Sequence, residues 1–262
     1  MLSKVISKVS LVQVTISYAI VLLACELTLT GLGPGVDDAV VNGLSTNVYN
    51  IGRGHVSALI GSMFVTSTGY IYVWLPGLVC LLAVAELFWR SRRLIVTFWL
   101  GHLGATLVVV AGLALAIGCG WLPAAVARAT DVGISYGAFA VLGALTAVIV
   151  PRWRAAWVGW WLAVALLAAL GTTDFTDVGH LVALVIGSLL AVRLPVAAHW
   201  TPARCALLAV GAGFGYLMLA YSLPVMITPL VGLLGAGTAQ LLVQVFGRRR
   251  KEPGELPVSG GG

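Results

Sequence analysis

From residue 10 to residue 247 the chain is a succession of long apolar runs broken by short clusters of charge. The apolar positions are continuous rather than alternating. A membrane helix needs about 20 such residues, whereas the strands of a closed barrel alternate apolar and polar positions. The runs therefore predict helices, eight of them, at roughly 10–31, 68–88, 94–118, 132–150, 155–171, 178–193, 205–223 and 229–246. Residues 205–247 carry no charge, and a run that long exceeds one span. Pro224 and Pro229 near its middle mark a tight turn between two spans; the alternative is a single span followed by a segment lying at the membrane surface.

Composition narrows the class. Of 262 residues, 60% are hydrophobic and only 9% charged, against about 25% charged in an average soluble domain. That excludes a soluble globular domain, a disordered chain and a nucleic-acid-binding module. The net charge of +6 has a simple origin. Lys4, Lys8, Arg90, Arg92, Arg93, Arg152, Arg154, Arg193, Arg204, Arg248, Arg249, Arg250 and Lys251 fall on one membrane side if the chain crosses eight times. The other side holds only Arg53 and Arg128, with Asp37, Asp38, Asp131, Asp174 and Asp177. The positive-inside rule then places both termini in the cytoplasm, and the expected location is a bacterial plasma membrane. No small-residue cleavage site follows the first span, so it is expected to be retained. Residues 1–247 read as one membrane domain and 248–262 as a basic, disordered cytoplasmic tail. Residues 32–67 are long for a loop, and 55–68 are half apolar, which predicts short helices at the outer membrane surface. No internal repeat supports an inverted-repeat transporter. Cys25, Cys80, Cys119 and Cys205 are scattered without metal-ligand spacing, and neither metal nor cofactor is expected.

Ionisable groups at membrane depth mark function. Glu86 lies near the end of the second span beside Arg90 and Arg93, which predicts a structural ion pair or hydrogen bond. Glu26 is a turn from an outer end, and His102 reads as a hydrogen-bonded core histidine. Ser135 and His180 stand apart because they agree in depth. Ser135 follows Asp131 by four residues and His180 follows Asp177 by three, on helices running in the same direction. Gly133, Gly137 and Gly143 on one helix, with Ala183 and Gly187 on the other, permit close approach. A neutral base beside a hydroxyl is the minimum for nucleophilic catalysis. Asp174 and Asp177 are the nearest acids and are expected at the surface. Residues 133–137 also fit G-x-S-x-G, but that elbow needs a preceding strand, so an α/β-hydrolase is rejected.

Residues 55–190 resemble the rhomboid superfamily, and within it divergent bacterial rhomboid-like proteins. Ser135 with Gly143 eight residues later, and His180 with Gly187 seven later, have the family's spacing on its fourth and sixth helices. Phe139 holds the position of an aromatic that supports the histidine. Ser62-Met63-Phe64 resembles the family's membrane-surface loop, and 86–93 the Glu-and-basic cluster closing its second helix. Two positions depart from the pattern. Tyr136 replaces the glycine after the serine, and Tyr70 and Trp74 stand where a His and an Asn usually serve the oxyanion site.

The resemblance implies an all-α polytopic bundle, a rhomboid-like six-helix core with two extra C-terminal transmembrane helices. It implies an intramembrane serine peptidase that cleaves substrate helices near the outer leaflet. Ser135 and His180 would be catalytic, with Gly133, Tyr136, Phe139, Tyr70 and Trp74 as supporting or oxyanion candidates. The alternative is an inactive pseudoprotease that binds membrane proteins or serves as a subunit of a membrane complex. Partners would be transmembrane helices within a lipid bilayer, not nucleic acid.

Overall fold

A computed structural model describes residues 10–66, 71–195, 199–221, 223–224 and 226–249. Lys4, Lys8, Tyr70, Arg250, Lys251 and most of the tail assigned to 248–262 lie outside the described residues. The helices are α1 Gln13–Leu32, α2 Pro34–Leu44, α3 Val48–Gly52, α4 Ser57–Gly61, α5 Ile71–Gly118, α6 Ser135–Ala144, α7 Arg154–Gly171, α8 Phe175–Leu190, α9 Pro202–Ala220 and α10 Ile227–Arg249. No strand occurs among the described residues. Among the described residues, six helices are long and apolar enough to cross a membrane, and the chain is a multi-pass membrane protein.

The two spans expected at 68–88 and 94–118 join as the two arms of α5, which breaks at Arg90 (φ 65°). Its 48 residues would measure about 72 Å if straight, enough for two crossings. Span six begins at Phe175 rather than 178, because the Asp174 carboxylate accepts from the Thr176 amide and caps the helix there.

Helix α6 organises the bundle. With its 3₁₀ extension it runs only from Ser135 to Ala147, about 20 Å, against a hydrocarbon core of about 30 Å. Every residue from Tyr136 to Val148 is buried, as expected for a helix that is apolar all round. The second arm of α5 crosses it where Gly101 meets Ala140 and Gly137 meets Phe98. On another side α8 crosses it, and on a third α9 reaches Leu142 through Gly215. Helix α10 lies against α7, Gly235 on Gly159 and Gly232 on the Trp160 ring.

Glu86 is fully buried but does not pair with arginine. Its carboxylate accepts from the Val14 and Thr15 amides (3.1 and 2.9 Å), the Thr15 hydroxyl (2.7 Å) and the Ser91 hydroxyl (2.6 Å). It thus satisfies amides at the start of α1 that have no carbonyl partner within the helix. The later part of the connection, 45–66, is built into the protein. Ser62 and Met63 are buried, and the Tyr18 hydroxyl donates to the Met63 carbonyl at 2.6 Å.

Candidate functional site

Ser135 opens α6 and is half-buried. The chain reaches it through Gly133, whose φ of 120° lies where side chains are strained. The Gly133 amide donates to the Ser62 carbonyl at 2.8 Å, so it is engaged and does not point to a substrate. The amides of Ser135, Tyr136 and Gly137 are the first of the helix and have no preceding turn to bond to. No other bond from them occurs among the described residues. These amides, rather than Gly133, are the donors available beside the serine hydroxyl.

His180 is the sixth residue of α8 and 6% exposed. Three glycines bring α8 onto α6. A Cβ at Gly187 would strike the Ala140 backbone, one at Gly143 the Leu184 carbonyl, and one at Gly179 the Tyr136 ring. Backbone therefore touches backbone along the crossing, which fixes the two helices closely. The Phe139 ring lies 4.5 Å from the His180 ring at 43°. Ser135 is four residues before Phe139, one turn nearer the helix start on the same face. Ser135 and His180 share no hydrogen bond among the described residues.

Tyr136 is 3% exposed and sits behind the histidine. Its ring meets His180 edge-on at 5.7 Å and His102 at 6.3 Å, and covers Gly179. The bulk that replaces the family's glycine is therefore packed into the protein on a face of α6 different from that of Ser135. Trp74 is half-buried on the first arm of α5, packed against the core. Tyr70 lies outside the described residues.

Asp177 was expected at the surface but is only 7% exposed. The first turn of α8 carries it, so it lies one turn before His180. Its Oδ1 stands 3.4 Å from His180 Nδ1, at ion-pair distance rather than in a formed hydrogen bond. Its other oxygen accepts from the Thr172 hydroxyl at 2.6 Å. The N-cap signal at Asp174 was present in the sequence and would have moved Asp177 inside the helix.

A second serine–histidine pair lies nearby. Ser62 Oγ is 3.2 Å from His102 Nε2, and both residues are buried. Their separation of 40 residues, through an irregular connection, gave no local signal. The approach to Ser135 is tied down by Asp131, which is 5% exposed. The Ser45 hydroxyl accepts from its amide at 2.9 Å, and its carbonyl accepts from the Thr46 amide at 2.8 Å. The Thr46 hydroxyl lies 3.0 Å from its carboxyl. Burial pushes the Asp131 carboxyl up to about 6, although Thr46 and the facing Tyr136 hydroxyl and His180 ring oppose the shift. The Tyr136 hydroxyl faces it without a well-formed hydrogen bond.

A family model described as "Rhomboid-like protein" matches residues 9–198. No curated protein and no solved structure matches the chain. The match runs from just before α1 to the end of the α8 segment, so α9 and α10 lie beyond it. With most of its length matched, and with the helical membrane bundle just described, the chain belongs to the rhomboid-like protein family.

Proposed function

We propose that the protein is an intramembrane serine peptidase. Ser135 Oγ attacks the carbonyl carbon of a peptide bond in a substrate transmembrane helix, and His180 takes the hydroxyl proton. The tetrahedral oxyanion is met by the free first-turn amides of α6. The C–N bond then breaks, His180 returns the proton to the leaving amine, and water hydrolyses the acyl-enzyme by the same steps reversed. Asp177 faces Nδ1, which leaves Nε2 as the basic nitrogen. The observation that carries this reading is the immobilised histidine. The Phe139 and Tyr136 rings pack against it and Asp177 faces its Nδ1, and Phe139 stands one turn from Ser135 on the same face of α6. The absence of a formed Ser135–His180 bond does not count against it, because such bonds commonly tighten only with substrate. The basic face, by charge asymmetry, is the cytoplasmic one in a bacterial plasma membrane, with both termini on that side.

A second reading, a pseudoprotease that binds membrane helices without cutting them, rests on α9. Ser135 and Leu142 share a face of α6, and α9 is seated on Leu142, Leu81 and, through Gly77 and Phe214, the first arm of α5. On this reading α9 occupies the Leu142 side of α6 against a substrate helix.

Purified protein should be reconstituted with a panel of single-span substrates and cleavage followed. Ser135→Ala and His180→Ala should each abolish cleavage, with the double variant no worse than either, because the pair acts as a unit. Asp177→Asn should lower the rate and shift its pH profile. Cleavage that survives Ser135→Ala would overturn the mechanism.

A further inference from the structure

We infer that the cleft between the α5 break and the end of α8 is a binding site for one anionic phospholipid, its phosphate held by Arg90, Arg92, Arg93 and Arg193. A cavity of about 450 Å³ lies there, lined by these four arginines and by Trp89, Val96 and Leu194 among others. Its lining combines charge with apolar surface. The guanidiniums come from the turn of α5 and from the 3₁₀ turn after α8, while Val96 and Leu194 supply an apolar wall. A phosphodiester joined to an acyl chain has this same combination.

A surplus of arginine on one membrane face is ordinary, so number alone proves nothing. The distinguishing feature is how these four are used. Five other arginines have described side chains, and each has a partner. Arg53 and Arg128 lie over the Tyr49 ring, Arg152 over Trp153, Arg154 donates to the Ile149 and Ala147 carbonyls, and Arg204 donates to the His199 and Leu87 carbonyls. None of the four cavity arginines has a hydrogen bond, ion pair or ring contact among the described residues. The nearest acid in sequence, Glu86, is fully engaged by α1 and Ser91. Four like charges therefore converge on one cavity with no counter-charge from the protein.

The backbone points the same way. Arg90 is the only non-glycine residue with positive φ among the described residues (φ 65°, ψ 164°). That region is nearly confined to glycine, and strain of this kind concentrates at ligand clamps. A glycine would make the same break without strain, yet the position holds an arginine. Basic pockets between helices on the cytoplasmic side bind anionic head groups in this manner. The site is independent of the chemistry at Ser135, on the opposite membrane face.

The test uses the full chain in an uncharged detergent. Native mass spectrometry counts retained lipid, and melting is followed with added phosphatidylglycerol, phosphatidylcholine or inorganic phosphate. One phosphatidylglycerol should bind per chain, at least tenfold more tightly than phosphatidylcholine, and raise the melting temperature. Arg92→Gln/Arg93→Gln should lose that preference, and Arg193→Gln, on a different element, should weaken it. Arg152→Gln, which removes a charge from the same face outside the cavity, should keep it. Arg90→Gly should melt higher than wild type without lipid and gain less from phosphatidylglycerol. Equal binding of the two lipids, an unchanged preference in both Arg92→Gln/Arg93→Gln and Arg193→Gln, or an equal loss in Arg152→Gln would overturn the site. Stabilisation by inorganic phosphate as large as by phosphatidylglycerol would also overturn it, in favour of a simple anion site.

Discussion

Substituting Gly187 by alanine adds one methyl group at the crossing of α6 and α8. Built on the present backbone, that Cβ would sit 2.7 Å from the Ala140 carbonyl carbon and 2.8 Å from its Cα, with the carbonyl oxygen closer still. Non-bonded carbons rest at about 3.5–4.0 Å, so the helices must separate by about 1 Å. The obstacle is backbone, which no rotamer change can relieve. Overpacking of this kind costs roughly 1–3 kcal/mol. The same shift moves His180 relative to Ser135, and a misplacement of about 1 Å can cost on the order of 10²-fold in rate. Gly112→Ala is the matched control, since a Cβ there meets nothing within 4 Å and should stabilise the helix by up to about 1 kcal/mol. Thermal unfolding in detergent and cleavage of a single-span substrate measure both effects. A Gly187→Ala protein as stable and as active as wild type would refute the claim that this crossing sets the site's geometry.

Two further outcomes follow from the loops around the site. The Asp131 carboxyl titrates near 6 when folded, above its ordinary 3.8, so the folded state binds the extra proton between those values. Stability should therefore fall as pH rises from about 4 to about 6 and level off above. Asp131→Asn should flatten that profile and be more stable at pH 8 by up to roughly 3 kcal/mol, read from unfolding midpoints across pH. Ser62→Ala leaves buried His102 Nε2 unpaired and should cost roughly 1–3 kcal/mol, while leaving the proposed nucleophile, Ser135, in place. Abolished serine reactivity in a folded Ser62→Ala protein would move the nucleophile to the second pair.

The long apolar runs and the charge between them carried the helices, because membrane spans are set by length and composition alone. Gly143 and Gly187 also read correctly as points of close approach, since small residues admit neighbouring backbone whatever the neighbour is. Long-range partners were harder. The structural, hydrogen-bonded character of Glu86 is legible in the sequence, but its partners are not. It bonds amides at the start of α1, 71 and 72 residues away, rather than the neighbouring Arg90 or Arg93, and no local pattern encodes that. Asp177 reads as a surface residue when the helix is started at 178, past the Asp174 cap. Ser62 and His102 meet through a connection whose irregular turns have no periodicity to read. Tyr136 shows the limit of motif comparison. Its identity departs from the family pattern, yet only the packing on Gly179 shows that its ring lies behind the histidine.

The proposed mechanism requires Ser135 to be an activated nucleophile. The most direct measurement is labelling of the purified wild-type protein with a fluorophosphonate, followed by peptide mapping of the modified serine. A single adduct on Ser135, lost in His180→Ala, is the result expected here. No adduct on Ser135 in folded wild-type protein, or an adduct that persists undiminished in His180→Ala, would contradict it and favour a helix-binding pseudoprotease.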